Sequence, residues 1–222
     1  METSPLLPDI LFHIGPVPIS RAVVTTWALM LALGTFLSVA LRNPTHNAGP
    51  VQAALEVVVL AIVKQLRDIL GSDPWPFLPL LGSLFLFLSL ANFTAVVPGA
   101  KPPTGHIETP AALALIVFFS VHFYGVKVRG GGQYLRHYLE PNPFLLPLNV
   151  LSELTRIFSL MIRLFGNMMS HEFVIAIVVF LAGLLVPIPF LLLGILIGII
   201  QAYIFTVLAT VYIAAAVGAI GT

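Results

Sequence analysis

Apolar positions in this chain fall in runs too long for a soluble core, punctuated by proline, glycine and clustered charge. A bilayer core of about 30 Å takes roughly 20 apolar residues per helix. The first such run covers residues 22–41 and stops at Arg42-Asn43-Pro44; the second, 77–97, ends before Pro98-Gly99. A third, 110–126, is shorter and ends before Lys127, Arg129 and a glycine run. Beyond a proline-rich connection, apolar character resumes over 150–186 and again over 188–218. Pro187-Ile188-Pro189 separates these last two runs, because each proline removes a helical donor and restrains its predecessor. Five spans are predicted, the last two forming a long hairpin. At about 1.5 Å per residue the run 150–186 would make a helix of about 55 Å, nearly twice the hydrocarbon thickness, so it should be strongly tilted or partly curved.

Between the first two spans, residues 51–70 place Leu55, Val58, Val59, Ile62, Leu66 and Ile69 at helical spacing, with Glu56, Lys64, Arg67 and Asp68 interleaved. That pattern predicts an amphipathic helix lying on the membrane, since charges so closely spaced are costly in lipid. Residues 1–21 carry Glu2, Asp9 and prolines and lack a basic region before an apolar core, so no cleavable signal is expected there and the segment should lie at the outer surface. The predicted fold is an all-α membrane domain. Placing the N-terminus outside puts Arg42, Lys64, Arg67, Lys127, Arg129 and Arg136 on the cytoplasmic side, against Arg21 and Lys101 outside, and leaves the C-terminus in the cytoplasm.

Composition sharpens this picture. Of the 222 residues 59% are hydrophobic and 9% charged, against about 45–50% and about 25% in an ordinary soluble domain. The net charge of +1 offers no field to gather nucleic acid. With no cysteine, disulfides, thiolate metal sites and cysteine nucleophiles are excluded. The informative charges are those left inside a span: Arg156 and Arg163, with Glu153 and Glu172.

At about 100° per residue, Ser152, Arg156, Ser159, Asn167 and Ser170 all fall within about 40° of Arg163, forming one polar stripe. Glu153 and His171 flank the stripe, Glu172 points the opposite way, and Leu154, Ile157, Met161, Phe165 and Met168 are suited to lipid or helix packing. An arginine at a helix centre costs about 2.5–3.5 kcal/mol on insertion scales. For Arg156 three readings stand open: snorkelling to a headgroup, a structural ion pair, or a functional role. Arg163 is different, because it lies about 20 Å into the helix and Glu172 is about 13 Å further on and on another face. In the last span Gln201 either bonds across the hairpin or lines a polar path, while Gly194, Gly198 and Ala202 offer a small-residue face for close helix approach. A cation could hop along such polar groups but would be repelled by Arg163, which does not give up its proton. Two half-paths separated by a positive barrier fit better than a continuous channel. They require a mobile carrier with a carboxylate supplied by another chain.

The string Ser159-Leu160-Met161-Ile162-Arg163-Leu164-Phe165-Gly166-Asn167-Met168 resembles subunit a of F-type ATP synthases. The resemblance covers roughly residues 50 to 215, including Arg67-Asp68-Ile69-Leu70-Gly71, Pro187-Ile188-Pro189 and Gln201-Ala202-Tyr203-Ile204-Phe205. It implies an ion-translocating stator subunit, non-catalytic, working beside a c-ring and held by peripheral-stalk b subunits in a bacterial inner (plasma) membrane. Arg163 then matches the arginine that faces the c-subunit carboxylate. Asn167, Glu172 and Gln201 match further polar positions. An outer half-channel is implied near Glu172, His171 and Gln201, and an inner one near Ser159, Arg156 and Glu153. Some members carry a histidine where this chain has Gly194; here His171 is expected to take over that role across the hairpin. Where the family often has asparagine before the third span this chain has Glu108, with His106 nearby, either an acidic outer mouth or solvated loop residues.

Two other classes compete for the same residues. A self-contained ion transporter or channel could use the same arginine and glutamate, but would conduct without a ring partner. An intramembrane hydrolase would need a nucleophile with a base, or a metal cluster. The histidines show no H-E-x-x-H spacing, and Ser170 and His171 point about 100° apart on a helix. Glycines 130–132 lack the phosphate-loop pattern, so ATP binding is not expected, and neither is a metal or cofactor. H⁺ and Na⁺ both stay open as the coupling ion.

Overall fold

The computed structural model describes residues 10–14, 17–40, 50–96, 102–134, 144, 146–183 and 186–218. Arg42, Lys101 and Arg136, three of the cations used for orientation, lie outside the described residues, as does most of the proline-rich connection. The chain begins with strands β1 (Ile10–Ile14) and β2 (Val17–Ser20) and continues through helices α1 (Arg21–Ala40), α2 (Pro50–Leu70), α3 (Leu78–Phe93), α4 (Glu108–Arg129), α5 (Leu146–Ala182) and α6 (Pro187–Val217). Helices α4, α5 and α6, and α1 over Arg21–Val39, are long and apolar enough to cross a membrane.

Three features differ in detail from the sequence expectation. The N-terminal segment contains an antiparallel hairpin, with Ile14 opposite Val17 and Phe12 opposite Ile19; its signal is Gly15-Pro16 between two short β-prone runs. The second apolar run gives a shorter helix, α3, of 16 residues, continued by a 3₁₀ turn over Thr94–Val96. Here Thr94 Oγ1 donates to the Ala91 carbonyl at 2.6 Å, a side-chain bond that competes with the helical ladder. The fourth run yields a helix shifted towards the N-terminus, Leu146–Ala182, because Pro147 is tolerated in a first turn whose N–H groups lack helical acceptors.

Helix α6 is the hub. Ala202, Phe205, Ala209, Thr210, Ile213 and Ala214 are buried, and the helix packs against α2, α3, α4 and α5. Lipid tails are as apolar as leucine, so this association rests on close packing of small residues rather than on hydrophobic drive. Thr206 and Thr210 return their hydroxyls to the carbonyls of Ala202 and Thr206, at 2.9 and 2.7 Å, which satisfies them inside the core. In α2, Ile62, Val63, Leu66 and Leu70 are buried, while Glu56, Lys64, Arg67 and Asp68 are all exposed. Tyr203 Oη of α6 donates to Gln65 Oε1 of this helix at 3.0 Å. Arg129, in the last turn of α4, reaches the Ala215 carbonyl of α6, a cation set against the negative end of a helix dipole.

Candidate functional site

Helix α5 buries Leu160, Leu164 and Met168 against the bundle. Its polar stripe points elsewhere: Ser152, Arg156, Ser159, Asn167 and Ser170 are exposed and Arg163 is half-buried. Among the described residues Arg163 has neither a hydrogen bond nor an ion pair. The chain thus presents its costliest intramembrane charge towards something other than itself.

On the C-terminal side of Arg163 the polar groups are tightly packed. Asn167 Nδ2 donates to Gln201 Oε1 at 2.7 Å, and Gln201 is 4% exposed. This amide does bond across the hairpin, and it also lines a cavity of about 10 Å³ with Asn92, Asn167, His171, Gly194 and Gly198. His171 Nε2 and Gln201 Nε2 are both buried without a hydrogen-bond partner. The cavity approaches the space a single water requires. Helix α3 enters through Asn92, whose Nδ2 donates to the Gly198 carbonyl at 2.8 Å and whose Oδ1 accepts from Thr104 Oγ1 at 3.0 Å.

Missing side chains make this packing possible. A Cβ on Gly194 would fall on the His171 imidazole, and one on Gly198 would lie 2.7 Å from Asn92 Cβ. Glu172 turns away from Arg163, as its helical angle predicts, and lies over the 3₁₀ turn Pro103–Gly105, where a Cβ on Gly105 would meet Oε1 at 2.6 Å. Nearby, at the start of α4, Glu108 accepts a hydrogen bond from Ser20 Oγ, and Thr109 faces Thr26 at 3.4 Å. Glu108 is therefore tied to the N-terminal hairpin rather than simply solvated. His106, two residues earlier, is half-buried.

On the N-terminal side of Arg163 the structure opens. Asn149, Ser152, Thr155, Arg156, Ser159 and Tyr212 line a groove of about 620 Å³. The Arg156 guanidinium lies 5.5 Å from the centre of the Tyr212 ring, a cation–π distance. Glu153 sits behind this wall in a separate pocket of about 20 Å³ that Arg156 and Tyr212 also border. Its Oε1 is 3.5 Å from His122 Nε2 of α4.

The structure therefore groups Asn167, His171 and Gln201, places Glu172 and Glu108 at two edges of the same end, and sets Ser159, Arg156 and Glu153 at the other. Sequence reasoning missed Asn92, Thr104, Ser20 and His122. A polar residue at the end of an apolar run was the available signal for Asn92, and a lone imidazole in the third span the signal for His122. Among the described residues no cluster of three or more His, Asp or Glu is placed to hold a metal.

Comparison with known proteins matches residues 23–214 to the family described as ATP synthase A chain. The chain belongs to that family. It is 56% identical over 220 residues to ATP synthase subunit a 2 of Bradyrhizobium sp., covering 99% of both chains. The protein of the same name from Pelobacter propionicus is 44% identical over 207 residues, 93% of this chain and 91% of that one. ATP synthase subunit a 1 of Hahella chejuensis is 45% identical over 204 residues, 92% and 87% of the two chains. With its long apolar helices, this family member is an integral membrane protein of ATP synthesis and Fo ion transport.

Proposed function

We propose that the chain is the ion-translocating stator subunit of a rotary F-type ATP synthase, offering two half-channels to a c-ring. The observation that carries this reading is the polar stripe centred on Arg163, which faces out of the chain although it lies midway along an apolar helix. A neighbour with a complementary carboxylate would offset the cost of such a stripe in lipid.

In this reading an ion enters from outside past Glu108, His106 and Glu172 and reaches the polar cluster of His171, Asn167 and Gln201. There it neutralises a c-ring carboxylate, which can then turn into lipid. On the return, Arg163 pairs with the ionised carboxylate and its fixed charge bars direct passage of the ion between the half-channels. Release runs through the groove of Ser159 and Arg156. At about 100 mV one charge crossing yields about 2.3 kcal/mol, so rotation must sum several crossings for each ATP. The His171 ring against Gly194 supports the exchange of imidazole position expected from the sequence. The subunit itself neither binds ATP nor catalyses its synthesis, and b subunits anchor it. Its N-terminus lies outside and its C-terminus in the cytoplasm of a bacterial inner membrane.

The test is Arg163→Ala in the complete complex in membrane vesicles. The expected result is loss of ATP-driven ion uptake and of gradient-driven synthesis, with the complex still assembled. Coupled synthesis at the wild-type rate would overturn the proposal.

A further inference from the structure

The carboxylate of Glu108 is held by a donor that comes from 88 positions earlier in the chain. Ser20 closes β2 immediately before α1, a place from which a serine ordinarily turns its oxygen on the N–H groups of the first helical turn. Here its hydroxyl hydrogen goes to Glu108 Oε2, at the start of α4. A carboxylate oxygen accepts, so the hydroxyl is the donor and its one hydrogen is committed to this bond. Among the described residues the Glu108 carboxylate has no other hydrogen bond and no ion pair. Arg21, beside Ser20, is exposed and leaves it alone. One carboxylate oxygen is thus fixed and the other is left open.

The contact sits in a built junction. Ser20 is 4% exposed, and Ile19 and Ala22 are buried with it. Over the described residues 19–39 these three alone are buried, while the rest of α1 faces outward. A second tie lies one turn further along. Thr26 Oγ1 donates to the Ala22 carbonyl at 2.7 Å, which uses its only hydrogen, so at the 3.4 Å contact with Thr109 it is Thr109 that supplies the hydrogen. Helix α1 also packs on the 3₁₀ turn Pro103–Gly105, whose residues are all buried and against which Glu172 lies. The junction of hairpin and α1 therefore supports both acidic groups of this end, Glu108 directly and Glu172 through the turn.

We propose that Ser20 is a positioning residue for ion entry: by holding Oε2 it aims the open oxygen of Glu108 at a monovalent cation arriving from outside. This inference rests on the stator reading above and on the place of Glu108 at the outer entry. The cation is bound and passed on, with no covalent bond made or broken. Loss of the serine hydrogen loosens the carboxylate and weakens capture from dilute solution. The later steps, at Arg163 and the ring, are left as they were, so the defect belongs to half-saturation and not to the maximal rate.

The experiment uses the complete complex in vesicles, with ATP synthesis driven at a fixed membrane potential. The ion on the outer face is varied as pH at fixed sodium and then as sodium at fixed pH, and the half-saturating concentration and the maximal rate are read separately. Ser20→Ala removes the donor. Ser20→Asp keeps a side chain that caps a helix well but sets a second carboxyl group against Glu108. In both, the half-saturating concentration should rise about two- to ten-fold while the maximal rate stays within about two-fold of wild type. Added to Glu108→Ala, Ser20→Ala should bring no further shift. An unchanged half-saturating concentration in assembled Ser20→Ala would overturn the proposal. So would wild-type behaviour of Ser20→Asp, which would make Ser20 a helix cap and nothing more, or a fall in the maximal rate alone. An undiminished shift in the Glu108→Ala background would also overturn it, because Ser20 would then act through another group. If Ser20→Asp does not assemble, the Ser20→Ala measurements decide. Arg163→Ala is the separate control: if that variant still couples, the stator reading fails, whereas an uncoupled Arg163→Ala beside silent Ser20 variants removes this inference alone.

Discussion

The two ends of the polar stripe solve different problems. On the C-terminal side of Arg163, neutral amides are locked by hydrogen bonds around about 10 Å³ of space. On the N-terminal side, the charged Arg156 and small hydroxyls border about 620 Å³. On the half-channel reading, a narrow path must fix each group so that an ion meets the next partner within hydrogen-bonding distance. An open groove lets water carry the ion and asks only that the charges at its rim be correctly placed. Sensitivity to substitution should therefore be uneven along the stripe, steep at the packed end and shallow at the open one.

The largest expected effect breaks both ends together: Arg163→Ala reduces coupled ATP synthesis to background in the assembled complex, measured in vesicles under an imposed gradient. Next comes Gly194→Val, whose side chain would displace the His171 imidazole. Overpacking of this kind costs about 1–3 kcal/mol in a well-packed core, and transport should fall by at least ten-fold. The exchange His171→Gly with Gly194→His should recover a substantial part, since the ring returns to the same space from the other helix; no recovery would show that the backbone origin of the imidazole matters. Gln201→Leu removes the acceptor for Asn167 and should cost about 1–3 kcal/mol, read as a loss of ion flux of about five- to 150-fold. The smallest effect should come from Ser159→Ala in the open groove, with less than a two-fold change in flux. A larger loss there than for Gln201→Leu would invert the comparison and put the narrow step on the other side of Arg163.

Much of this was legible from pattern. Runs of apolar residues closed by proline or charge gave the helices, and the alignment of Ser152, Arg156, Ser159, Arg163 and Asn167 on one helix gave the stripe. Within one helix, periodicity also sent Glu172 to a different face, where it meets Gly105. What the pattern could not supply was contact between helices. Asn92 reads as an ordinary polar residue near a helix end until Gly198, 106 positions later, offers its carbonyl. His122 reads as a single imidazole in an apolar run until α5 brings Glu153 to it. The N-terminal hairpin was hidden for another reason: strands of five and four residues are too short for alternation to stand out beside membrane-length apolar runs. Even the fourth span began earlier than its apolar run suggested, because a proline that interrupts a helix interior is harmless in a first turn.

The outward-facing stripe also bears on the life of the chain before assembly. A newly inserted copy exposes Arg156, Ser159, Asn167 and Ser170 on a lipid-facing helix, with Arg163 half-covered among them. On the stator reading proposed above, these groups wait for a ring to cover them, and until then they would give membrane quality control a polar mark to recognise. On the same reading, turnover of orphan copies would match their number to that of the rings and keep unpartnered half-channels from leaking ions.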